Sequence, residues 1–217
     1  MTYRGHVTPG SPAVRELSEL VITKASVGPM DNNAYLLRCR RTGESLLIDA
    51  ADEPDVLLGL LNGEPLGTFV TTHQHPDHWQ ALGRVVEATG ATTVAGEDDA
   101  DGIPVATDRR VRDGDTITFG DITLTAIHIV GHTPGSICLV YDDPTGPPHL
   151  WTGDCLFPGG VGNTQDDPER FASLVNDVDE KLFGRLPDET WFYPGHGDDS
   201  TLGVQRPHVS EWRARGW

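Results

Sequence analysis

Short apolar runs separated by turn-forming residues recur along most of the chain. In the opening part, residues 20–26, 34–39 and 45–49 are such runs, and the turn sequences Gly-Pro-Met-Asp-Asn-Asn and Arg-Arg-Thr-Gly separate them. Bounded runs of this length predict β-strands, and this opening is typical of an antiparallel meander. The same pattern predicts further strands at residues 68–71, 92–95, 116–119, 122–128, 136–141, 150–152 and 190–193.

Three other stretches predict helices. Residues 53–61 precede the strand at 68–71, and residues 79–89 follow it and are stopped by Gly90. The third stretch, residues 168–183, carries one apolar stripe. Asp167 is a natural N-cap for this last helix, because it stands directly before Pro168.

The chain divides into two strand-rich halves that each carry helices, and no low-complexity linker separates them. This arrangement predicts an α/β fold in which two β-sheets pack face to face with helices on the outer faces. Residues 1–18 contain Pro9, Gly10 and Pro12 and no sustained apolar period. We therefore predict an N-terminal arm at residues 1–18 and a single domain at residues 19–217.

Composition narrows the classes of function. With 37% hydrophobic residues the chain can bury a core, and its formal net charge of -17 repels the phosphate backbone of nucleic acids. The three cysteines show no Cys-x-x-Cys spacing, which favours a reducing cytoplasm over a secreted disulfide framework. No stretch approaches the ~20 apolar residues of a membrane helix. We expect a cytoplasmic protein with neither a nucleic-acid nor a membrane partner, and composition leaves its oligomeric state open.

The densest group of chemically active side chains follows the strand predicted at 68–71. In His73-Gln74-His75-Pro76-Asp77-His78, four potential metal ligands lie within six residues. Imidazole and carboxylate groups are ligands preferred by zinc and also by iron and manganese. A solvated polar loop is the alternative interpretation, but four such residues at fixed offsets favour a metal site.

Three later elements end in the same way. Each is an apolar strand, then a glycine, then a potential ligand: Ile129-Val-Gly-His132, Leu150-Trp-Thr-Gly-Asp154 and Trp191-Phe-Tyr-Pro-Gly-His196. Strand ends are rigid supports, and glycine permits close approach of the backbone. The repeated pattern therefore predicts that these side chains converge on one site.

Together these motifs resemble those of the metallo-β-lactamase superfamily, and particularly its glyoxalase II-like hydrolases, over residues 20–202. The superfamily is known by a His-x-His-x-Asp-His motif followed by single His, Asp and His ligands, and this sequence fills all seven positions. The resemblance implies an αββα sandwich, which agrees with the pattern of two strand-rich halves.

The same resemblance implies two divalent metal ions, with zinc as the first choice and iron or manganese as alternatives. The first ion would take His73, His75 and His132, the second would take Asp77, His78 and His196, and both would share Asp154. A hydroxide bridging the ions would be the nucleophile, since metal coordination lowers the pKa of water from about 15.7 toward ~7. The expected catalytic carboxylates are Asp77 and Asp154, and Asp77 either serves only as a ligand or also orients the hydroxide.

Two side chains beside these ligands lead to different expectations. Asp49 ends a strand in Leu-Leu-Ile-Asp, where the resemblance implies a supporting contact behind the ligand histidines, and an ordinary turn carboxylate is the alternative. Cys155 follows Asp154, but the alternation of side chains along a strand points it away from the metals. We expect Cys155 to serve packing.

The substrate is suggested by a third motif. Gly-Asp-Cys-Leu-Phe-Pro-Gly-Gly resembles the Gly-Asp-Thr-Leu-Phe-x-Gly-Gly of glyoxalase II-like enzymes, which hydrolyse thioesters such as S-lactoylglutathione. We therefore expect substrate contacts in segment 156–163, among them Phe157 and Asn163. Two-domain members carry Arg or Lys where Asn163 stands and hold glutathione in a helical C-terminal domain, whereas 21 residues, 197–217, follow His196 here. A thioester of another small thiol is the expected substrate, with Arg206 as a candidate replacement cation.

Three other interpretations stay open. A persulfide dioxygenase with a single iron has similar motifs and size, and it differs in metal stoichiometry and oxygen consumption. A lactonase or a β-lactamase-like hydrolase is disfavoured, the latter because its usual second-site cysteine is absent. A non-catalytic, metal-stabilised ligand-binding module is also disfavoured, because degeneration usually removes ligands and all seven are present.

Overall fold

Two mixed β-sheets form the centre of the computed structural model, which describes residue 3 and residues 5–216. The strands are β1 (Ala13–Glu16), β2 (Leu20–Val27), β3 (Asn32–Cys39), β4 (Ser45–Ile48), β5 (Thr68–Thr71), β6 (Thr92–Gly96), β7 (Arg109–Val111), β8 (Thr116–Phe119), β9 (Ile122–Ile129), β10 (Ser136–Tyr141), β11 (His149–Gly153), β12 (Leu156–Phe157), β13 (Gly160–Val161), β14 (Trp191–Pro194) and β15 (Ser200–Thr201). The α-helices are α1 (Pro54–Leu61), α2 (Leu82–Thr89), α3 (Pro168–Asp177), α4 (Leu202–Gln205) and α5 (Val209–Arg215).

Each half of the chain builds one large sheet. The first sheet has the order β1-β2-β3-β4-β5-β6-β7, antiparallel from β1 to β4 and parallel from β4 to β7. The second has the order β15-β14-β11-β10-β9-β8, in which only the β11–β14 pair is parallel. Strands β12 and β13 form a separate small hairpin.

Helices cover the outer face of each sheet. Alternate strand residues such as Leu37 and Leu139 point inward and form the core between the two sheets. Helices α1 and α2 pack on the outside of the first sheet, with Leu57 in that cluster, and α3 and α5 pack on the outside of the second, with Val175. These layers confirm the predicted αββα sandwich.

Most predicted elements are present, and the helices differ at their ends. The helix predicted from residue 79 starts at Leu82, because Pro76–His78 form a 3₁₀ turn and the Trp79 indole donates to the Gln74 carbonyl oxygen. Asp167 caps α3 as predicted, but the helix continues after residue 177 as a π-helix, Val178–Phe183. This π-helix keeps Val178 and Leu182 in the buried cluster.

The sequence analysis missed β1, β7, the short strands β12, β13 and β15, and the two C-terminal helices. Strands β1 and β7 are the edges of the first sheet and keep much of their surface exposed, so their sequences lack a clear apolar alternation. Strand β1 lies within the segment predicted as an arm, of which residues 1, 2 and 4 are outside the described part. Residue 217 of the predicted domain is also outside it, and the boundary at residue 18 stays a prediction. Among the described residues, no helix combines the length and the apolar character that crossing a bilayer requires.

Candidate metal centre

Loops at the ends of four central strands bring the predicted ligands together. The His73-to-His78 motif follows β5, and His132, Asp154 and His196 follow β9, β11 and β14. A backbone hydrogen bond from Ile137 N to the Thr72 carbonyl joins the two sheets beside these loops. Strands β11 and β14 are parallel neighbours, so their ends lie side by side. Gly195 permits this approach, because a side-chain carbon there would lie 2.2 Å from Asp154 Oδ1.

Three imidazole nitrogens form a small triangle. Its sides are 3.1 Å from His73 Nε2 to His75 Nδ1, 2.9 Å from His75 Nδ1 to His132 Nε2, and 3.2 Å from His132 Nε2 to His73 Nε2. Neutral ring nitrogens carry either a proton or a lone pair, so three of them cannot all be hydrogen-bonded to one another. Nitrogens bound to one tetrahedral zinc ion at ~2.05 Å would lie about 3.3 Å apart. The triangle therefore fits three lone pairs directed at one metal ion.

A second group contains Asp77, His78 and His196, and Asp154 lies between the two groups. Asp77 Oδ2 is 3.3 Å from His196 Nε2 and 3.7 Å from His78 Nε2. Asp154 Oδ2 lies 3.4 Å from His196 Nε2 and 3.7 Å from His132 Nε2. One carboxylate oxygen thus faces a nitrogen of each group.

Two buried atoms at this centre lack hydrogen-bond partners among the described residues. They are His78 Nε2 and Asp154 Oδ1, which lie 3.4 Å apart. Burying a polar atom without a partner costs about 1–3 kcal/mol. A divalent cation would satisfy both atoms, and imidazole with carboxylate is a typical donor set for zinc, iron or manganese. The cluster therefore fits a metal site.

Burial keeps the triangle in the protonation state that binds metals. It lowers the pKa of His73, His75 and His132, which are consequently neutral. Neutral imidazole is the form that donates a lone pair to a metal ion. No proton has to leave these three rings before a cation binds.

The two carboxylates are held in their ionised form. A hydrogen bond with His196 lowers the pKa of Asp77 to about 2, against the opposing effect of burial. Burial also acts to raise the pKa of Asp154, but His78 and His196 hold it well below its usual range. Burial acts to lower the pKa of His196, yet these same carboxylates raise it to about 10. A cation would therefore compete with a proton for His196 Nε2.

Oxygen atoms behind the histidines fix which ring nitrogen faces the cluster. His78 Nδ1 donates to Asp49 Oδ2 over 2.8 Å, so Asp49 lies behind a predicted ligand, where it was expected. The Nδ1 atoms of His132 and His196 donate to the carbonyl oxygens of Asn163 and Met30, each over 2.8 Å. In all three rings the Nδ1 atom is engaged behind the cluster, so Nε2 is the nitrogen that faces it.

The three predicted substrate contacts have different surroundings. The Phe157 ring centroid lies 6.2 Å from that of His196. Asn163 is exposed, and its side chain accepts from Gln165 N while its carbonyl binds His132. Arg206 donates to Asp188 and to the carbonyls of Phe183 and Leu186, and none of its described contacts is with the cluster. The structure therefore does not bring Arg206 to the site, because α4 turns it toward the end of the π-helix.

A cavity of about 490 Å³ opens beside His75 and His132. Its polar lining includes Gln74, Gln165 and Arg170. The Arg170 guanidinium donates to the Gly131 and His132 carbonyls and, at 3.4 Å, to Gln165 Oε1, so all its described acceptors are uncharged. The sequence analysis missed Arg170, because only the folding of α3 onto the loop before His132 places it here.

Two further residues missed in the sequence contact the second group. Asn32 Nδ2 donates to the backbone oxygen of Asp77 over 2.9 Å and to its Oδ2 over 3.2 Å. Met30 lies beside His196 with 53% of its surface exposed. The signal available in the sequence was the turn Gly-Pro-Met-Asp-Asn-Asn, whose polar residues continue into a strand that is mostly apolar.

Comparison with known proteins identifies relatives of this fold and site. A family model described as the metallo-beta-lactamase superfamily matches residues 27–196. A hydroxyacylglutathione hydrolase from Polaromonas sp. is 36% identical over 167 residues, which are 76% of this chain and 62% of that protein. This chain therefore spans less than two thirds of that relative's length.

Solved structures agree with this assignment. ETHE1 from Myxococcus xanthus superposes with a TM-score of 0.77 at 27% identity, over 88% of this chain and 84% of its own. TTHA1623 in a di-iron-bound form superposes with a TM-score of 0.69 at 30% identity, over 84% of this chain and 96% of its own.

Proposed function

Because the chain belongs to the metallo-beta-lactamase superfamily, we propose that it is a dinuclear metal-dependent hydrolase that cleaves thioesters of a small thiol, as glyoxalase II-like enzymes do. His73, His75 and His132 would hold one ion and Asp77, His78 and His196 the other, with Asp154 shared and zinc the first choice. We place the enzyme in the cytoplasm, since its three cysteines are unpaired.

The observation that carries this proposal is the position of Asp154. Its Oδ2 faces His132 on one side and His196 on the other, at 3.7 and 3.4 Å. A carboxylate oxygen between two groups of ligands is the arrangement expected where two ions share a ligand. A site built for one ion would not need the second group to converge on the same oxygen.

The chain's own residues would bind the substrate, orient it and handle protons. When bound, the ions supply Lewis acidity and lower the pKa of a water molecule toward ~7. Asp77 is ionised and held by Asn32, so its carboxylate can accept or orient a proton at the centre of the cluster. The Phe157 ring lies beside His196 and offers an apolar contact to an acyl or thiol chain.

The cavity beside the nitrogen triangle is the proposed position of the thiol part of the substrate. It reaches His75 and His132, and Gln74, Gln165 and Arg170 provide polar groups along its wall. Arg170 carries a positive charge that its described carbonyl and amide acceptors do not neutralise. A thiol carrying an anionic or polar group would fit this wall better than a purely apolar one.

A persulfide dioxygenase with a single iron is the second candidate. The nitrogen triangle is complete without the second group, and ETHE1 from Myxococcus xanthus is among the similar structures. This candidate predicts one iron per chain and oxygen consumption with a persulfide. The proposed hydrolase predicts two metal ions and no oxygen consumption.

One preparation can separate these candidates. We would measure metal content per chain and then follow steady-state hydrolysis of a panel of thioesters, together with oxygen uptake in the presence of a persulfide. Thioester turnover with two metal ions and no oxygen uptake supports the proposal. Oxygen uptake with a single iron and no thioester turnover contradicts it.

A further inference from the structure

Asp99 is a buried carboxylate between two of the loops that carry potential metal ligands. It lies in the segment after β6, has 0% exposure, and makes three described hydrogen bonds, all from uncharged donors. Burying a carboxylate without a cationic partner is unfavourable unless several donors satisfy it. Three donors satisfy the Asp99 carboxylate, and they come from two separate loops.

One hydrogen bond of Asp99 is with the His73-to-His78 loop. Gln74 N donates to Asp99 Oδ2 over 3.0 Å, and Gln74 stands between His73 and His75 in the chain. The bond therefore fixes the backbone from which two corners of the nitrogen triangle project.

The other two hydrogen bonds of Asp99 are with the loop that follows β9. Thr133 Oγ1 donates to Asp99 Oδ2 over 2.5 Å, and Gly135 N donates to Asp99 Oδ1 over 2.7 Å. Thr133 directly follows His132, the third corner of the triangle. A single carboxylate thus joins loops from the two different sheets.

Glycines allow close contact between the Asp99 segment and both loops. A side-chain carbon on Gly135 would lie 2.2 Å from Asp99 N, and one on Gly102 would lie 1.9 Å from Gln74 Oε1. Gly135 needs glycine for space, because its neighbours are backbone atoms of Asp98 and Asp99, whereas the atom nearest to Gly102 is the end of the flexible Gln74 side chain. The segment 96–102 is therefore in direct contact with both loops.

We propose that Asp99 is a positioning residue for the first metal position, which sets the spacing of His75 Nδ1 and His132 Nε2 by holding both loops. This inference rests on the proposed metal centre and adds a residue that makes no contact with the ligands' metal-facing atoms. The alternative is that Asp99 only stabilises the fold. If Asp99 is a positioning residue, its substitution weakens metal affinity in protein that is still folded. If Asp99 only stabilises the fold, the folded variant keeps its metal affinity.

The test compares Asp99→Asn with wild type in metal binding, without any substrate. We would titrate metal-free protein with zinc against a chromophoric chelator and record the visible spectrum of the cobalt-substituted protein. The expected result is zinc affinity weakened about tenfold or more, as for other residues that support metal ligands, with an altered cobalt spectrum. Folded Asp99→Asn with wild-type zinc affinity and an unchanged cobalt spectrum would overturn the inference.

Asp108→Asn is the control for the hydrogen-bond pattern, at a carboxylate that is exposed where Asp99 is buried. Asp108 Oδ2 also accepts a backbone N–H and a threonine hydroxyl, both from Thr93, and its described hydrogen bonds are all with that residue. This variant is expected to lose some stability and to keep wild-type zinc affinity. An equal loss of affinity in Asp108→Asn would mean that zinc binding only reports general stability, which also contradicts the inference.

Thr133→Val provides a milder second variant. It removes the hydroxyl bond to Asp99 on the His132 side and leaves the carboxylate and the Gln74 bond in place. We expect zinc affinity to fall by a smaller factor than in Asp99→Asn, and unchanged affinity would contradict the inference even if Asp99→Asn did not fold. Wild-type protein that binds zinc but hydrolyses no thioester would refute only the proposed function, whereas wild type that binds no metal would refute both.

Discussion

The two proposed metal positions differ in chemistry and in exposure. The first consists of three neutral nitrogens at 2.9–3.2 Å from one another, with the His73 and His132 side chains buried. The second combines one carboxylate with two nitrogens at 3.3–3.7 Å, and its Asp77 and His196 side chains are 23% and 21% exposed. The first position is therefore the more tightly preorganised of the two.

This difference predicts that the two positions hold their ions with different affinity. A compact, neutral and buried set of ligands binds a cation with little rearrangement, whereas the second set must first release the proton that its carboxylates hold on His196. The second position also lies beside Phe157, one of the proposed substrate contacts. We expect the first ion to be held tightly and the second to be more exchangeable.

The largest expected effect comes from removing the residue that both positions share. Asp154→Ala should lower thioester turnover by about 10³-fold or more, because several kcal/mol of transition-state stabilisation depend on two correctly placed ions. Strand β11 and its neighbours should still form, since the core packs without this side chain. Turnover, metal content and circular dichroism would be measured on one sample. Near-normal turnover in the folded variant would show that the chemistry does not need a shared ligand.

The next prediction compares one ligand from each position. His196→Ala should retain one tightly bound ion per chain, whereas His132→Ala should lose the tight ion, because it opens the nitrogen triangle. Metal content after dialysis against a chelator would be measured by atomic emission. His128→Ala is the control, since His128 bonds the Pro134 carbonyl and contacts neither group. Equal metal loss in both ligand variants would remove the distinction between the positions.

A smaller effect is expected from Asn163, at the rim of the first metal position. Its substitution should change the preference of the enzyme among thioesters of different thiols. Asn163→Arg should raise kcat/KM for S-lactoylglutathione by roughly one to two decades, because a charge-assisted hydrogen bond to a carboxylate contributes about 1.5–3 kcal/mol. The substitution keeps the backbone carbonyl that holds His132. Arg206 does not supply this charge in the wild type, because it is engaged with Asp188.

Asn163→Gln is the matched control for that experiment. It also loses the side-chain bond to Gln165 N but adds no charge, so it should show no gain with the glutathione thioester. Thioesters of other small thiols would be assayed in parallel. If wild type already prefers the glutathione ester and Asn163→Arg brings no improvement, the idea that a missing cation excludes glutathione is wrong.

The sequence predicted the fold class and the convergence of the seven potential ligands, because strand periodicity and strand-end motifs are local signals. Apart from Asp49 behind His78, it did not reveal the groups that orient those ligands. The oxygens behind His132 and His196 are backbone carbonyls of Asn163 and Met30. Every residue has a backbone carbonyl, so the type of residue at these positions does not indicate the contact. The contacts of Arg206, the candidate replacement cation, were not visible in the sequence for a related reason, since only the packing of α4 on the π-helix decides which carbonyls it meets.

The smallest expected effect is that of Cys155→Ala. This variant tests whether the core residue that follows the ligand Asp154 affects the activity of the site. Cys155 follows Asp154 in the chain, yet it packs in the outer cluster of the second sheet with Leu156 and Leu174. Contact with the Cys138 thiol and burial raise the pKa of Cys155 well above its usual value, which agrees with a packing role for this thiol. Loss of the sulfur should cost about 1 kcal/mol of stability through a small cavity and leave turnover within about twofold of wild type. Thermal unfolding and turnover on the same preparation test both halves of this expectation. A tenfold fall in turnover at unchanged metal content would contradict this expectation. It would mean that the packing of the core behind Asp154, and not only the ligands of the two metal positions, determines the activity.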